Sequence, residues 1–286
     1  MKSAFVFPGQ GSQSPGMGKD LYDHNPAARE VFQAANQTLG FSLTDLIFAG
    51  TAEDLQKTSN AQPAILTVSV ALLQAKNTIP AVVAGHSLGE YSALVCAGAL
   101  DFREAVSLVR FRGECMERAA PGGMAAALGL DDQLIEQILA KHPGVEIANY
   151  NCPGQTVISG TNAELPLACA DLTAAGAKRV VPLAVSGPFH SSLMREAAEE
   201  YRQRLKTVDI HDPQIPVIAN VTADYAREAA VIRDLLYRQV FSSVRWTQSV
   251  RKILASGVAT IEEIGPGKVL TGLVKKIQTS MAQAAV

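Results

Sequence analysis

The feature that most constrains the fold is a Gly-x-Ser-x-Gly pattern, Gly85-His86-Ser87-Leu88-Gly89, at the junction of two predicted elements. A Val-containing apolar run at residues 81–84 predicts a buried strand, and residues 88–97 predict a helix. Glycines on either side of a serine let the backbone turn sharply from strand to helix and leave the hydroxyl accessible. The pattern can also occur in an ordinary loop, but the flanking strand and helix favour Ser87 as a nucleophile at a helix N-terminus.

The rest of the chain predicts an α/β fold with a largely parallel sheet, because short apolar runs alternate with amphipathic stretches. The 286 residues are 48% hydrophobic, which is enough for one large core with a smaller subdomain. Strands of the large core are predicted at residues 4–7, 81–84 and 258–264. Its helices are predicted at residues 27–38, 62–76 (opened by Pro63), 88–97, 102–118, 193–206, 226–240 and 247–256, and from residue 269 onward.

A smaller unit is predicted after the glycine pair Gly122-Gly123. Its strands are expected at residues 124–130, 145–150, 155–160 and 178–184, and its helices at residues 131–142 and 163–175. This β-α-β-β-α-β order is that of a ferredoxin-like unit. We therefore expect a ferredoxin-like subdomain at residues 123–187, inserted into a core formed by residues 1–122 and 188–286.

The charge distribution excludes some partners and leaves others open. Net charge is −2, which gives no reason to expect nucleic acid or an anionic membrane surface. From Arg227 to the C-terminus, however, nine Lys and Arg residues stand against four Asp and Glu residues. This basic C-terminal part is suited to an acidic partner, although an ordinary solvated surface explains it equally well.

Cysteine and histidine positions bear on compartment and cofactors. The four cysteines have no paired or ligand-like spacing and no signal-peptide pattern is visible, so we expect free thiols in a reducing cytoplasm. The apolar stretch at residues 4–7 is too short to span a membrane. The five histidines are scattered, so we expect no metal site. Nothing in the sequence requires an oligomer, and we expect a monomer.

A nucleophilic serine needs a base, and His190 is the best candidate. It follows Gly187-Pro188-Phe189 after a predicted strand, so it lies on a loop, where catalytic side chains are commonly presented. The side chain of His86 should point away from its neighbour Ser87 and have a structural role. No acidic residue between positions 87 and 190 stands out as the third member of a Ser/His/acid triad. The sequence therefore predicts a Ser/His dyad whose imidazole is oriented by a backbone carbonyl or an amide.

Arg112 occupies an unusual place on the helix predicted at residues 102–118. On a helical wheel it falls in the middle of the apolar face, whereas Arg103, Arg110 and Arg118 fall on the polar face. The apolar face consists of Ala105, Leu108, Val109, Cys115 and Met116. A guanidinium there is costly unless it meets an anion. Either a buried Asp or Glu pairs with it, or the carboxylate of a substrate does, bound through two parallel hydrogen bonds.

Gln10 follows the first predicted strand directly, in Pro8-Gly9-Gln10-Gly11-Ser12-Gln13. Loops after the carboxyl ends of parallel strands line the active crevice, so Gln10 is expected near Ser87, with its backbone amide available to an oxyanion. A Gly-rich turn can equally have no function. It is not a phosphate-binding loop, since no Lys-Ser or Lys-Thr follows the glycines.

Taken together, the motifs resemble those of the malonyl-CoA:acyl carrier protein transacylases along essentially the whole chain. The matching segments are Phe7-Pro8-Gly9-Gln10-Gly11-Ser12-Gln13, Gln62-Pro63-Ala64, Gly85-His86-Ser87-Leu88-Gly89-Glu90-Tyr91, Arg110-Phe111-Arg112-Gly113, Asn149-Tyr150-Asn151, Pro188-Phe189-His190-Ser191 and Gly265-Pro266-Gly267-Lys268-Val269-Leu270. The resemblance implies an α/β-hydrolase-like core that carries a ferredoxin-like subdomain. It also implies ping-pong transfer of malonate from malonyl-CoA to an acidic acyl carrier protein, for fatty acid or polyketide synthesis.

The resemblance also implies residue roles. Ser87 matches the nucleophile, His190 the base and Arg112 the malonate-binding arginine. Gln239 matches a glutamine whose backbone helps to orient the histidine. The backbone amides of the oxyanion hole match Gln10 and Leu88. No cofactor is implied beyond the phosphopantetheine of the carrier.

Phe189 bears on the choice of acyl group. In related polyketide acyltransferase domains, a Phe before the catalytic His accompanies malonyl, and a smaller residue admits methylmalonyl. Phe189 therefore favours the unbranched substrate, although one methyl group is worth only about 1–3 kcal/mol.

Three alternatives remain open: a serine esterase or thioesterase, the malonyl transferase of a malonate decarboxylase system, and an inactive scaffold.

Overall fold

A computed structural model describes residues 2–284 of the chain. Within them, the strands are β1 Ser3–Phe7, β2 Val82–Gly85, β3 Gly123–Leu128, β4 Val145–Cys152, β5 Gln155–Gly160, β6 Arg179–Pro182, β7 Val217–Ile218, β8 Tyr225–Ala226 and β9 Thr260–Glu263. The helices are α1 Lys19–His24, α2 Pro26–Leu39, α3 Leu43–Ala49, α4 Ala52–Gln56, α5 Thr58–Gln74, α6 Gly89–Cys96, α7 Phe102–Glu117, α8 Asp132–Leu139, α9 Leu165–Ala174, α10 Arg195–Leu205, α11 Ala229–Gln239, α12 Trp246–Ala255 and α13 Val269–Ala284. A 3₁₀ turn, Ser192–Met194, precedes α10.

The larger sheet has the strand order β8-β7-β2-β1-β9. Strands β7, β2, β1 and β9 run parallel, and only the short edge strand β8 is antiparallel. The predicted α/β architecture with a largely parallel sheet is therefore confirmed. Because the carboxyl ends of the parallel strands lie at one edge, the loops that follow β1 and β2 are neighbours there.

Both faces of the larger sheet are covered, as a buried parallel sheet requires. Side chains alternate along β1: Phe5 and Phe7 enter one core, whereas Ala4 and Val6 enter the other. The first core contains residues of α2, α5, α6, α7, α10 and α11, and the second contains residues of α12 and α13. No helix within residues 2–284 is long and apolar enough to cross a membrane.

The smaller sheet has the strand order β4-β5-β3-β6, and every neighbouring pair is antiparallel. Its elements follow one another in the predicted order of strand, helix, strand, strand, helix, strand. Ala125 and Ala127 of β3 pack with α8 and α9 on one face. Met124 and Ala126, on the opposite face, line a cavity shared with the larger sheet.

The helix predicted to open at Pro63 begins earlier, at Thr58, and contains Pro63 in its interior. A proline inside a helix removes one N–H and leaves the carbonyl four residues earlier without its helical partner. That carbonyl belongs to Ser59, and it accepts a hydrogen bond of 3.1 Å from Arg110 Nη1 on α7. The prediction of the helix start was wrong because a distant side chain satisfies the group that the proline leaves free.

Five short elements were not predicted. Three are helices of five to seven residues, too short to show a clear apolar period: α1, α3 and α4. Two are strands of two residues, β7 and β8. The helix predicted at residues 226–240 begins at Ala229, since Ala226 belongs to β8.

Candidate active site

Ser87 lies in a tight turn between β2 and α6. Its φ angle is 49°, in the left-handed region that non-glycine residues rarely adopt. A Cβ atom on Gly85 would overlap the backbone of Gly89, and one on Gly89 would overlap the backbone of Phe7 in β1. The two glycines are therefore required by close backbone approach. The serine hydroxyl is held at the start of α6, at the carboxyl edge of the sheet.

His190 lies 2.7 Å from Ser87, measured from its Nε2 to the serine Oγ. On the other side of the ring, Nδ1 donates to the main-chain carbonyl of Gln239 at 2.8 Å. Because Nδ1 carries the proton of a neutral ring, Nε2 is free to accept the proton of the serine hydroxyl. Within residues 2–284, no carboxylate hydrogen-bonds to this imidazole, and the structure brings together the predicted residues Ser87 and His190 with the main-chain carbonyl of Gln239.

The environment keeps the imidazole of His190 neutral. Burial, together with the nearby positive charge of Arg112, lowers the pKa of His190 to about 3, although the hydrogen bond to the Gln239 carbonyl opposes the shift. A ring that stays unprotonated at neutral pH is ready to act as a proton acceptor. The low pKa therefore leaves the ring in the protonation state that the geometry requires of a proton acceptor.

Arg112 extends from α7 to the same place and is only 1% exposed. Its Nη1 donates to Gln62 Oε1 and its Nη2 to Gln239 Oε1, each at 2.9 Å. The guanidinium lies over the ring of Tyr91, 5.5 Å from the ring centre. Its Nη2 is 3.4 Å from Ser87 Oγ.

No carboxylate oxygen of residues 2–284 lies within ion-pair distance of Arg112. Of the two explanations for a cation on an apolar face, a direct buried ion pair is therefore not what the structure contains. Its hydrogen-bond partners are neutral, and its charge remains available to an anion beside the serine. By contrast, Arg110 on the polar face pairs with Glu114.

A cavity of about 390 Å³ brings the candidate residues together. Six of the seven predicted site residues line it: Gln10, Ser87, Leu88, Arg112, Phe189 and His190. Gln239 is fully buried behind the cavity wall. The smaller sheet contributes the opposite wall through β3, β4 and β5.

The backbone N–H groups of Gln10 and Leu88 remain available at this cavity. Neither donates a hydrogen bond to any group of residues 2–284. The side chain of Gln10 is instead tied down, since its Nε2 donates to Thr58 Oγ1 at 3.2 Å. Free amides beside a nucleophile are suited to stabilising an oxyanion.

His86 is directed away from the dyad, as the sequence predicts. Its Nε2 hydrogen-bonds to Asn151 Oδ1 at 2.8 Å, and its ring meets Trp246 edge-on at 5.6 Å. Burial lowers the pKa of His86, so this ring is also held in its neutral form. His86 therefore links the elbow to β4 of the smaller sheet.

Three further polar residues of the site were not assigned a role from the sequence: Gln62, Glu90 and Asn220. Gln62 is an amide beside Pro63 in a largely apolar run, and Glu90 follows the Gly-x-Ser-x-Gly pattern directly, so both had a local signal. Asn220 follows the two-residue strand β7 and had none. Among residues 2–284, no cluster of three potential metal ligands occurs.

Comparisons with known proteins give one consistent result. The family described as "Acyl transferase domain" matches residues 4–286. A malonyl CoA-acyl carrier protein transacylase from Bacillus subtilis (strain 168) is 52% identical over 295 residues, covering 100% of this chain and 93% of the relative. A crystal structure of an acyl-carrier-protein S-malonyltransferase from Burkholderia pseudomallei 1710b is 46% identical with a TM-score of 0.93, covering 97% of this chain and 93% of that one.

A third similar structure is a complex. It holds a type II PKS acyl-carrier protein bound to its malonyl-transacylase. The matched chain is 43% identical with a TM-score of 0.94, and the match covers 98% of this chain and 94% of that one.

Proposed function

Because this chain belongs to the acyl transferase domain family, we propose that it transfers malonate from malonyl-CoA to the phosphopantetheine thiol of an acyl carrier protein. The observation that carries the proposal is the position of Arg112. A buried guanidinium without a carboxylate partner lies 3.4 Å from the hydroxyl of a serine that is hydrogen-bonded to a neutral histidine. A covalent acyl group that itself bears a carboxylate satisfies both features.

In the first half-reaction, Ser87 Oγ attacks the thioester carbonyl of malonyl-CoA while His190 Nε2 takes the hydroxyl proton. The resulting oxyanion lies near the free amides of Gln10 and Leu88. When the intermediate collapses, the carbon–sulfur bond breaks and the proton on His190 passes to the departing CoA thiolate. The product is a malonyl ester on Ser87 and a neutral imidazole.

In the second half-reaction, the sulfur of the carrier's phosphopantetheine attacks the ester carbonyl while His190 takes the proton of that thiol. Collapse of the second intermediate breaks the carbon–oxygen bond, and His190 returns the proton to Ser87 Oγ. The carbonyl of Gln239 stabilises the imidazolium present between these proton transfers, because it accepts from Nδ1–H in both charge states.

Arg112 supplies substrate selection in this scheme. Its planar fork matches a carboxylate with two parallel hydrogen bonds, and its neutral partners Gln62 and Gln239 fix the fork without neutralising it. Phe189 is buried and lines the same cavity, where its ring is suited to crowd an α-methyl branch. From the positions of these two residues, we infer that malonyl is the preferred acyl group.

The finer architecture is also part of the proposal. We assign residues 123–187 to an inserted ferredoxin-like subdomain, and residues 1–122 and 188–286 to an α/β-hydrolase-like core. The strand order β4-β5-β3-β6 with its two helices on one face supports the first assignment. The parallel strands and the serine turn after β2 support the second. Four free cysteines are in keeping with a cytoplasmic location, and we propose a monomer.

Intact-mass measurement after incubation with malonyl-CoA tests the proposal. We expect a malonyl adduct on the wild-type protein and on Ser256→Ala, which alters an exposed serine after α12. Ser87→Ala should carry none. Addition of a phosphopantetheinylated carrier protein should remove the adduct and add the same mass to the carrier. Release of free malonate without an adduct or a loaded carrier would instead assign the protein as a hydrolase.

The role of Arg112 separates the transferase from an esterase of neutral acyl groups. Arg112→Ala should slow acylation by malonyl-CoA more than acylation by acetyl-CoA, because only the malonyl group has a carboxylate that Arg112 can bind. Charge-assisted hydrogen bonds are worth about 1.5–3 kcal/mol, so the difference should be about 10- to 100-fold. Equal losses with both substrates would make Arg112 a structural residue. The time course of adduct formation measures both rates.

A further inference from the structure

Glu90 is a buried carboxylate that the reaction above does not use. It lies one helical turn after Ser87, near the start of α6, and is 3% exposed. Its Oε2 accepts two hydrogen bonds, one from the backbone N–H of Asn220 at 3.0 Å and one from Gln239 Nε2 at 2.8 Å. Burial raises the pKa of Glu90 to about 7, against the opposing effect of these donors and of Arg112.

Contact with Glu90 determines which way the side-chain amide of Gln239 faces. Glu90 Oε2 already accepts from the backbone N–H of Asn220, which can only donate, so Oε2 acts as an acceptor and the NH₂ end of the amide must face it. The same Nε2 also donates to the main-chain carbonyl of Ser87 at 3.1 Å. The amide oxygen is therefore left on the side of Arg112, where it accepts from Nη2. With the amide reversed, Nε2 and the guanidinium would be two donors facing each other.

Asn220 is the second residue that Glu90 holds. Its Oδ1 accepts from the backbone N–H of Ser87 at 2.7 Å, and its Nδ2 donates to the carbonyl of Gly85 at 2.6 Å. These two bonds hold the backbone that leads from β2 into the strained turn at the serine. Glu90 thus contacts one residue that holds the nucleophile and another that holds the guanidinium.

We propose that Glu90 is a positioning residue for acyl selection: through Gln239 it aims the guanidinium of Arg112 at the acyl group on Ser87. What matters in this role is a hydrogen-bond acceptor at the place of Oε2. The inference rests on the proposed function, because selection between malonyl and acetyl groups is its readout.

The test compares acylation of Ser87 by malonyl-CoA and by acetyl-CoA in three variants of Glu90. Misaiming a binding group can cost up to about 100-fold, so Glu90→Ala should lower the malonyl-to-acetyl ratio of kcat/KM by about 10-fold or more. Glu90→Asp, which keeps the charge but withdraws the acceptor by one methylene, should lower the ratio as well. Glu90→Gln keeps an acceptor at the same reach and should restore most of the ratio.

A merely structural role predicts a different result, namely equal losses with both substrates. Asp132→Asn is the matched control, since it neutralises a partly buried carboxylate on α8 outside the site and should leave the ratio unchanged. In an Arg112→Ala background, Glu90→Asp should lower the ratio no further, because the residue through which it acts is gone.

Three outcomes would overturn the positioning role of Glu90, the proposed function, or both. If the wild-type enzyme prefers malonyl and Glu90→Asp and Glu90→Ala keep that preference, the positioning role is wrong and the proposed function stands. If the wild-type enzyme shows no preference for malonyl, the proposed function is wrong and the inference falls with it. An additive decrease in the double variant would also overturn the positioning role.

Discussion

At the scale of single residues, the site is built on backbone conformations that are costly to hold. Two of the three non-glycine residues with positive φ in residues 2–284 are Ser87, at 49°, and His190, at 59°. Each such conformation costs about 1–3 kcal/mol and persists only where neighbouring groups determine it. At Ser87 the determining group is Asn220, and around His190 the loop closes on itself through Ser191 Oγ and the Pro188 carbonyl.

The low pKa of His190 predicts a pH-dependent loss of stability. The folded ring has a pKa of about 3 and an unfolded ring about 6.5, so below pH 6.5 the unfolded chain binds a proton that the folded chain does not. The contribution of His190 to the free energy of unfolding is therefore fully present above pH 6.5 and is lost as the pH falls toward 3. Glutamine does not titrate. When the pH is lowered from 7 to 5, the free energy of unfolding of His190→Gln should therefore rise by about 2 kcal/mol relative to that of the wild type.

Urea unfolding of both proteins at the two pH values measures this difference. Glu90 titrates in the opposite sense, since its raised pKa makes the folded state bind the extra proton between pH 4.5 and 7. Both proteins contain Glu90, so its contribution cancels in the comparison. Parallel pH dependences in the two proteins would show that His190 titrates in the folded state much as it does in the unfolded chain.

At the scale of elements, the close contact of α5 with α7 brings Gln62 within reach of Arg112. The contact is possible because Gly113 of α7 has no side chain: a Cβ atom there would lie 2.7 Å from Ser59 Cα and 2.8 Å from the Thr58 carbonyl oxygen. The carbonyl of Ser59 that Pro63 leaves free accepts from Arg110 across the same contact. Two unfavourable features, a glycine and a proline inside helices, are thus explained by one interface.

Gly113→Ala should separate these two helices. The added methyl group meets backbone atoms that cannot rotate away, so we expect a loss of about 1–3 kcal/mol in the free energy of unfolding. Acylation by malonyl-CoA should also fall, since Arg112 follows the displacement of α7. The matched control is Gly272→Ala in α13, where nothing lies within 4 Å of the new Cβ. There alanine should be neutral or stabilise the helix by up to about 1 kcal/mol. Denaturant unfolding distinguishes the two, and equal effects would contradict the interface account.

At the scale of the whole molecule, the reaction cavity lies between the carboxyl edge of the larger sheet and one face of the smaller sheet. The two are joined by main-chain hydrogen bonds, because the segment before α12 pairs with β4: Tyr150 N–H donates to Val244 O at 2.9 Å, and Val244 N–H donates to Ala148 O at 2.8 Å. Helix α13 begins at the cavity with Val269. Helix α13, which carries the exposed Lys275 and Lys276 of the basic C-terminal part, therefore extends from the rim of the cavity, where a carrier has to dock.

Charge reversals in that part test its contribution to carrier docking. Arg251 on α12 and Lys275 on α13 are both exposed. Arg251→Glu and Lys275→Glu should each raise the KM for an acidic carrier by about 2- to 5-fold at low salt, and less at high salt, because exposed charges mainly steer association. Lys206→Glu, at the end of α10, reverses an exposed charge outside the basic part and should leave KM unchanged. An unchanged carrier KM in both reversals would place the docking surface elsewhere.

The sequence by itself determined what depends on neighbours along the chain. The strand and helix patterns within residues 81–97 predicted the turn at the serine. A helical wheel of the segment that forms α7 placed Arg112 on the face that is buried. The tertiary structure alone decided how distant polar groups meet. Glu90, Arg112, Asn220 and Gln239 come from positions as far as 149 residues apart and hydrogen-bond to one another in a buried network. No spacing along the chain encodes such contacts, because a buried donor or acceptor needs a partner but takes whichever one the packing of helices and strands brings within reach.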